Sequence, residues 1–94
     1  MLYAAKCYWP GVTETELEPI AKRATRGDSQ SARDGVAYLG SLLFSVDELV
    51  LCLFEGPSRA AVKRASENAG IPCERLMDAV WLKPAERRWK EARL

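Results

Sequence analysis

The feature that most constrains this chain is a run of six apolar residues, Leu49–Phe54, with no polar residue inside it. Gly56 and Pro57 end the run, and the pattern predicts a strand over Glu48–Glu55. Because polar and apolar residues do not alternate along it, this strand must be covered on both faces. The two helices of a 94-residue chain can cover only one face of a sheet. The sequence therefore predicts a homodimer in which a second copy covers the other face.

The segments around this strand predict a complete α+β domain. Pro10 and Gly11 end a first strand, a capping box begins a helix at Thr13, Ser58 caps a second helix, and Gly70 ends it. The predicted strands cover residues 2–9, 36–45, Glu48–Glu55 and Asp78–Lys83. The order βαββαβ is that of the ferredoxin-like fold with a four-stranded antiparallel sheet. Right-handed crossovers place the first and third strands at its centre.

Length and charge limit the classes of function. The 94 residues predict one ferredoxin-like domain over 1–83, followed by a basic C-terminal helical tail over 84–94. A net charge of +1 gives no general attraction to nucleic acid, and none is expected as a partner. A signal-peptide pattern and a membrane-spanning apolar run are both missing from the sequence, so we expect a cytoplasmic protein without a membrane partner.

Three segments resemble a known family of small bacterial ferredoxin-like proteins. They are YWPGV at Tyr8–Val12, the long segment Tyr38–Ser58, and AGIPCERL at Ala69–Leu76. One branch of that family is described as nickel-binding or nickel-responsive. The resemblance implies a dimeric α+β barrel, like that of the small antibiotic-synthesis monooxygenases, and it makes nickel the candidate cofactor.

Two kinds of residue are candidate metal ligands. Cys7 and Cys52 lie on the two predicted central strands, which are adjacent and antiparallel, so their thiols can bind a soft metal or form a redox pair. They can equally be small buried apolar residues. Glu48 and Glu55 flank the third strand and offer carboxylates to a harder metal or to general-base chemistry. Residues at strand ends can also simply be solvated.

A second set of residues is a candidate site for a small molecule. Tyr8, Trp9, Tyr38 and Ser41 combine aromatic surface with hydroxyl groups, as the lining of a ligand cavity does. The alternative for the aromatic residues is a place in the core or in the dimer interface.

The absence of histidine excludes the Ser/His and Cys/His pairs of nucleophilic catalysis. The sequence therefore favours a homodimeric ligand-binding module without enzymatic activity, with a metal ion or a small molecule as the ligand. The alternative is a cofactor-free enzyme of the monooxygenase-like dimeric barrel type. Such an enzyme would need a cavity that holds an organic substrate.

Overall fold

A computed structural model describes residues 1–26, 31 and 33–84 of the chain. Its strands are β1 (Leu2–Tyr8), β2 (Ala37–Phe44), β3 (Leu49–Glu55) and β4 (Arg75–Ala79). The helices α1 (Glu14–Arg26) and α2 (Arg59–Asn68) each connect two strands. This order confirms the predicted ferredoxin-like fold. The helical tail predicted over 84–94 lies outside the described residues, apart from Pro84.

The four strands form one antiparallel sheet in the order β2-β3-β1-β4. As predicted, the first and third strands are central. In their register Tyr3 lies opposite Phe54, and Tyr8 lies opposite Leu49. This long pairing joins the beginning of the chain to its middle, because β1 starts at Leu2 and β3 starts at Leu49.

One face of the sheet forms the core with the helices. Along β3, Val50, Cys52 and Phe54 are at most 2% exposed, while the leucines between them are only half-buried. Alternate residues of β1 share the buried face, and both helices contribute apolar side chains to it. The central members of this core are Tyr3, Ala5, Cys7, Ile20, Val50, Cys52, Phe54, Val62 and Ala65.

The other face, here called the open face, carries apolar side chains without a covering helix in the described part of the chain. Leu49, Leu51 and Leu53 occupy its centre. Leu42 and Phe44 of β2 extend the apolar surface and are 51% and 40% exposed. The run of apolar residues in β3 is thus divided between the core and this surface.

Helix α2 begins and ends as predicted. The Ser58 hydroxyl accepts a hydrogen bond from the Ala61 amide at 3.2 Å, and Gly70 follows the helix with a φ of +79°. A left-handed residue at this position is the usual end of a helix and favours glycine. The small buried residues Ala61 and Ala65 let the helix approach the sheet closely.

The last strand differs from the prediction. We expected Asp78–Lys83, but β4 covers Arg75–Ala79. Its pairing with β1 begins at Lys6 and Arg75 and ends where Leu2 meets Ala79. Because β1 begins at Leu2, which lies opposite Ala79, the apolar residues after Ala79 have no residue of β1 to pair with. Val80, Trp81 and Leu82 are 82%, 68% and 85% exposed.

The close approach of α2 to the sheet predicts that Gly56→Ala destabilises the fold. A β-carbon at Gly56 would lie 2.7 Å from Cγ2 of Val62, whose branched side chain has little freedom to move. We expect a loss of roughly 1–3 kcal/mol in the free energy of unfolding, measured by urea denaturation. In a Val62→Ala background, which removes that methyl group, the same change should be much less harmful. Equal losses in both backgrounds would contradict the packing argument.

Candidate functional site

Two cysteines come together inside the core. Cys52 on β3 lies opposite Ala5 of β1, and Cys7 lies opposite Val50, so the two cysteines are diagonal neighbours on the helix-facing side. Their exposed fractions are 2% and 0%. The Cys7 thiol donates a hydrogen bond to the Ala5 carbonyl oxygen at 3.8 Å, and the ionisation of Cys7 and Cys52 is linked. The structure thus brings together the two sulfur residues that the sequence placed on adjacent strands.

A pair of hydroxyl groups adjoins the thiols. Ser41 lies opposite Cys52 in the β2–β3 pairing, and its Oγ donates a hydrogen bond to the Cys52 Sγ at 3.2 Å. The Tyr38 hydroxyl lies 2.5 Å from the same Ser41 Oγ. The Tyr38 ring is held by Phe54, with ring centroids 5.5 Å apart. Hydrogen bonds therefore link Cys52 through Ser41 to Tyr38, and Cys7 lies beside Cys52 on the neighbouring strand.

A β-bulge makes this chain possible. Residues three positions apart in a regular strand lie on opposite faces, so Tyr38 and Ser41 should not meet. In β2 the register shifts between Tyr38 and Gly40, which inserts one residue and returns Ser41 to the same face as Tyr38. Gly40 has a φ of +133°, a conformation that favours glycine. A glycine inside a strand is the sequence signal that could have predicted this arrangement.

The surroundings act in opposite directions on the two sulfurs. The interaction with Cys7, and more weakly the hydrogen bond from Ser41, lower the pKa of Cys52 to about 7, although burial opposes this change. The interaction with Cys52 raises the pKa of Cys7, and burial raises it further. Burial also raises the pKa of Tyr38. Of the two buried thiols, Cys52 is therefore the one that ionises first.

The hydroxyl groups lie between the thiols and the solvent. Tyr38 and Ser41 line an open groove of about 460 Å³ along the edge of α1. Two carboxylates, Glu14 and Glu18, belong to the same lining. The groove therefore places two acidic groups near the Ser41 hydroxyl that is hydrogen-bonded to Cys52.

Glu48 and Tyr8 form a separate contact at one corner of the sheet. The Glu48 carboxylate accepts a hydrogen bond from the Gly11 amide at 2.9 Å and one from the Tyr8 hydroxyl at 3.5 Å. The Trp9 amide donates to the Glu48 carbonyl at 2.8 Å, and the Trp9 side chain packs half-buried against the core. These contacts join the end of β1 to the β2–β3 turn.

Glu55 lies at the opposite end of β3 from Glu48. Its carboxylate contacts the amino terminus of Met1 at 2.9 Å, and both groups are largely exposed. The four candidate metal ligands are thus distributed over three places, and only the cysteines are brought together. Within the part of the chain that the structure describes, no group of three or more cysteine and acidic side chains is placed to share a metal ion.

Comparison with known proteins agrees with this fold. The sequence model of the family described as "Nickel responsive protein SCO4226-like" matches residues 6–78. The chain belongs to this family. The crystal structure of SCO4226 from Streptomyces coelicolor A3(2) is similar, with a TM-score of 0.73 and 20% sequence identity. The match covers 88% of this chain and all of that one, and it supports the same fold. Among curated proteins, none matches the sequence.

The matched region contains Cys7, Tyr38, Ser41 and Cys52 and leaves out the basic tail. The resemblance predicted from the sequence segments is therefore confirmed at the level of the family. None of the helices in the described ranges is long and apolar enough to span a membrane.

The thiol pair predicts a pH-dependent ultraviolet spectrum. Thiolate absorbance should appear near pH 7 in the reduced protein, because the interaction with Cys7 and the hydrogen bond from Ser41 lower the pKa of Cys52. Cys7→Ser and Ser41→Ala should each move this titration to higher pH, and Cys52→Ser should abolish it. Cys73→Ser, which leaves both central thiols intact, is the control. A first titration that follows Cys73 instead would contradict the assignment.

The same ionisation predicts how stability changes with pH. Cys52 has a lower pKa in the folded protein than the value of about 8.5 typical of unfolded chains. Its contribution to stability is present above pH 8.5 and is lost as the pH falls through 7. In urea denaturation the difference in unfolding free energy between wild type and Cys52→Ser should therefore increase from pH 6.5 to 8.5. Parallel stability curves would count against a folded-state thiolate.

Proposed function

We propose that this protein is a homodimeric metal-binding module without enzymatic activity. The observation that carries the proposal is the buried pair of Cys7 and Cys52 on adjacent strands, in which Ser41 donates a hydrogen bond to the Cys52 sulfur and the pKa of Cys52 is lowered. The thiolate is the form of cysteine that binds metals. Ser41 and Tyr38 supply polar groups between this pair and the groove.

Nickel is the first ion to consider because the family is described as nickel responsive. The chain has no histidine, so the imidazole groups that commonly bind nickel are lacking. The carboxylates of Glu48 and Glu55 are occupied by contacts elsewhere in the fold. The two core sulfurs are therefore the ligands through which this chain would respond to a metal.

Calorimetric titration of the reduced, metal-free protein with nickel tests the proposal. We expect saturable binding that is lost in the Cys7→Ser/Cys52→Ser double variant, because that variant has no central thiolate. Cys73→Ser is the matched control and should bind as wild type does. Binding that survives in the double variant would refute the thiol site and would direct the search to Glu48, Glu55 and Asp47. The absence of any binding in wild type would refute a role in nickel binding.

The homodimer is proposed on the basis of the open face. Leu49, Leu51 and Leu53 form a contiguous apolar surface with Leu42 and Phe44, and such a surface on a monomer usually marks an interaction site. A sheet face can pack on a copy of itself through a two-fold axis. With a net charge of +1, two copies repel each other only weakly. These features favour a second copy as the partner of the open face.

Replacing a central leucine of the open face tests the dimer. Leu51→Lys should convert a dimer into a monomer, because it places a second cation directly opposite Lys6 in the middle of the proposed interface. Val46→Lys makes the same chemical change at a turn residue that is 94% exposed and should leave the dimer intact. Light scattering coupled to gel filtration gives the mass of each variant. A wild-type protein that is monomeric at micromolar concentration would refute this part of the proposal.

Two further points complete the proposal. Three unpaired cysteines suit a reducing compartment, which supports a cytoplasmic location. The cofactor-free enzyme has less support, because the groove beside Tyr38 and Ser41 is open to solvent, whereas a substrate of that class needs an enclosing cavity.

A further inference from the structure

We propose that Cys7 and Cys52 form a two-coordinate site for a soft monovalent cation, with Cu(I) as its representative, and that they bind it more tightly than nickel. This inference rests on the proposed function because it uses the same two thiols. It adds the charge class of the ion and the number of its protein ligands. It also assigns to Ser41 the role of hydrogen-bonding the Cys52 sulfur, and to Tyr38 the role of holding the Ser41 hydroxyl.

The number of ligands favours such an ion. Cys7 and Cys52 offer two sulfur atoms, and within the described residues no third cysteine or acidic side chain completes a larger metal-binding group. Soft thiolate ligands select Cu(I), whereas Ni(II) favours a square-planar set of four harder ligands. Cu(I) can be bound by two thiolates alone. A buried pair of sulfurs is therefore a complete site for Cu(I) and only half a site for nickel.

The position of the cysteines also favours a bridging ion over a disulfide. Cys7 and Cys52 are diagonal neighbours in the β1–β3 register. The α-carbons of diagonal neighbours are typically about 7–8 Å apart, which is beyond the usual range of about 4.4–6.8 Å for a disulfide. An ion between two sulfurs spans a longer distance than an S–S bond does. The strand pairing thus keeps the thiols reduced and close enough to share a cation.

Binding releases protons to solvent. Two Cu–S bonds form, and the S–H bond of each thiol that is still protonated breaks, so the ion replaces those protons. No electron is transferred, because the ion enters as Cu(I). With two thiolates around one Cu(I) the site carries one negative charge, and the Ser41 hydroxyl stabilises it through its hydrogen bond to the Cys52 sulfur.

Competition with a coloured chelator tests the inference. The reduced protein is titrated without oxygen with Cu(I) in the presence of bathocuproine disulfonate, and the loss of chelator colour measures transfer to the protein. We expect one Cu(I) per chain, thiolate-to-copper charge-transfer absorbance, and no displacement by excess nickel. Cys7→Ser and Cys52→Ser should each abolish the transfer. Ser41→Ala should weaken it roughly 10-fold, the lower end of the range for residues that orient a metal ligand.

Cys73 provides the matched control. It is half-buried beside the core, and Cys73→Ser should leave the copper affinity unchanged. Circular dichroism of each variant separates lost binding from lost folding. Transfer that needs Cys73, that survives Cys7→Ser or that is reversed by nickel would overturn the two-sulfur site. If nickel binds through the cysteines and Cu(I) does not, this inference fails while the proposed function stands. If neither ion binds, both fail.

Discussion

The pairing of β3 with β1 is the constraint on which the rest of the structure depends. It sets an apolar strand at the centre of the sheet and divides its side chains by strict alternation. Val50, Cys52 and Phe54 enter the core, where burial stabilises the fold, and the leucines between them form the open face. The candidate metal site and the candidate dimer interface are thus opposite faces of one strand. A change of register by one residue would exchange them.

The same pairing brings reactive groups into an apolar core. A thiolate is poorly tolerated there unless hydrogen bonds compensate for lost hydration. At Cys52 this compensation comes from Cys7 on one neighbouring strand and from Ser41 on the other. The site is therefore assembled from three strands, and each contributes one group. Its chemistry depends on sheet geometry more directly than on any local sequence motif.

Much of the fold could be predicted because it follows from local rules. Capping residues, turn residues and apolar periodicity indicated the order of the elements, and crossover handedness indicated the central strands. We predicted the last strand too far along the chain, because the apolar residues 80–82 have the composition of a strand. In the structure β1 begins at Leu2, opposite Ala79, so the residues after Ala79 have no part of β1 to pair with. For strands, pairing determines the ends, and pairing is not a local property. The proximity of Cys7 and Cys52 was predictable because the sequence already indicated that their two strands are adjacent and antiparallel.

The sequence by itself determined the elements, the central strands and the absence of imidazole chemistry. Only the tertiary structure decided which groups Glu48 and Glu55 contact and that Tyr38 and Ser41 are hydrogen-bonded to Cys52. The physical reason is that hydrogen bonds between side chains need atoms within about 3.5 Å. The bulge at Gly40 supplied that proximity by shifting one strand by one residue against its neighbour. Gly40 marks the position of this shift in the sequence, but the contact between Tyr38 and Ser41 depends on how whole strands pair.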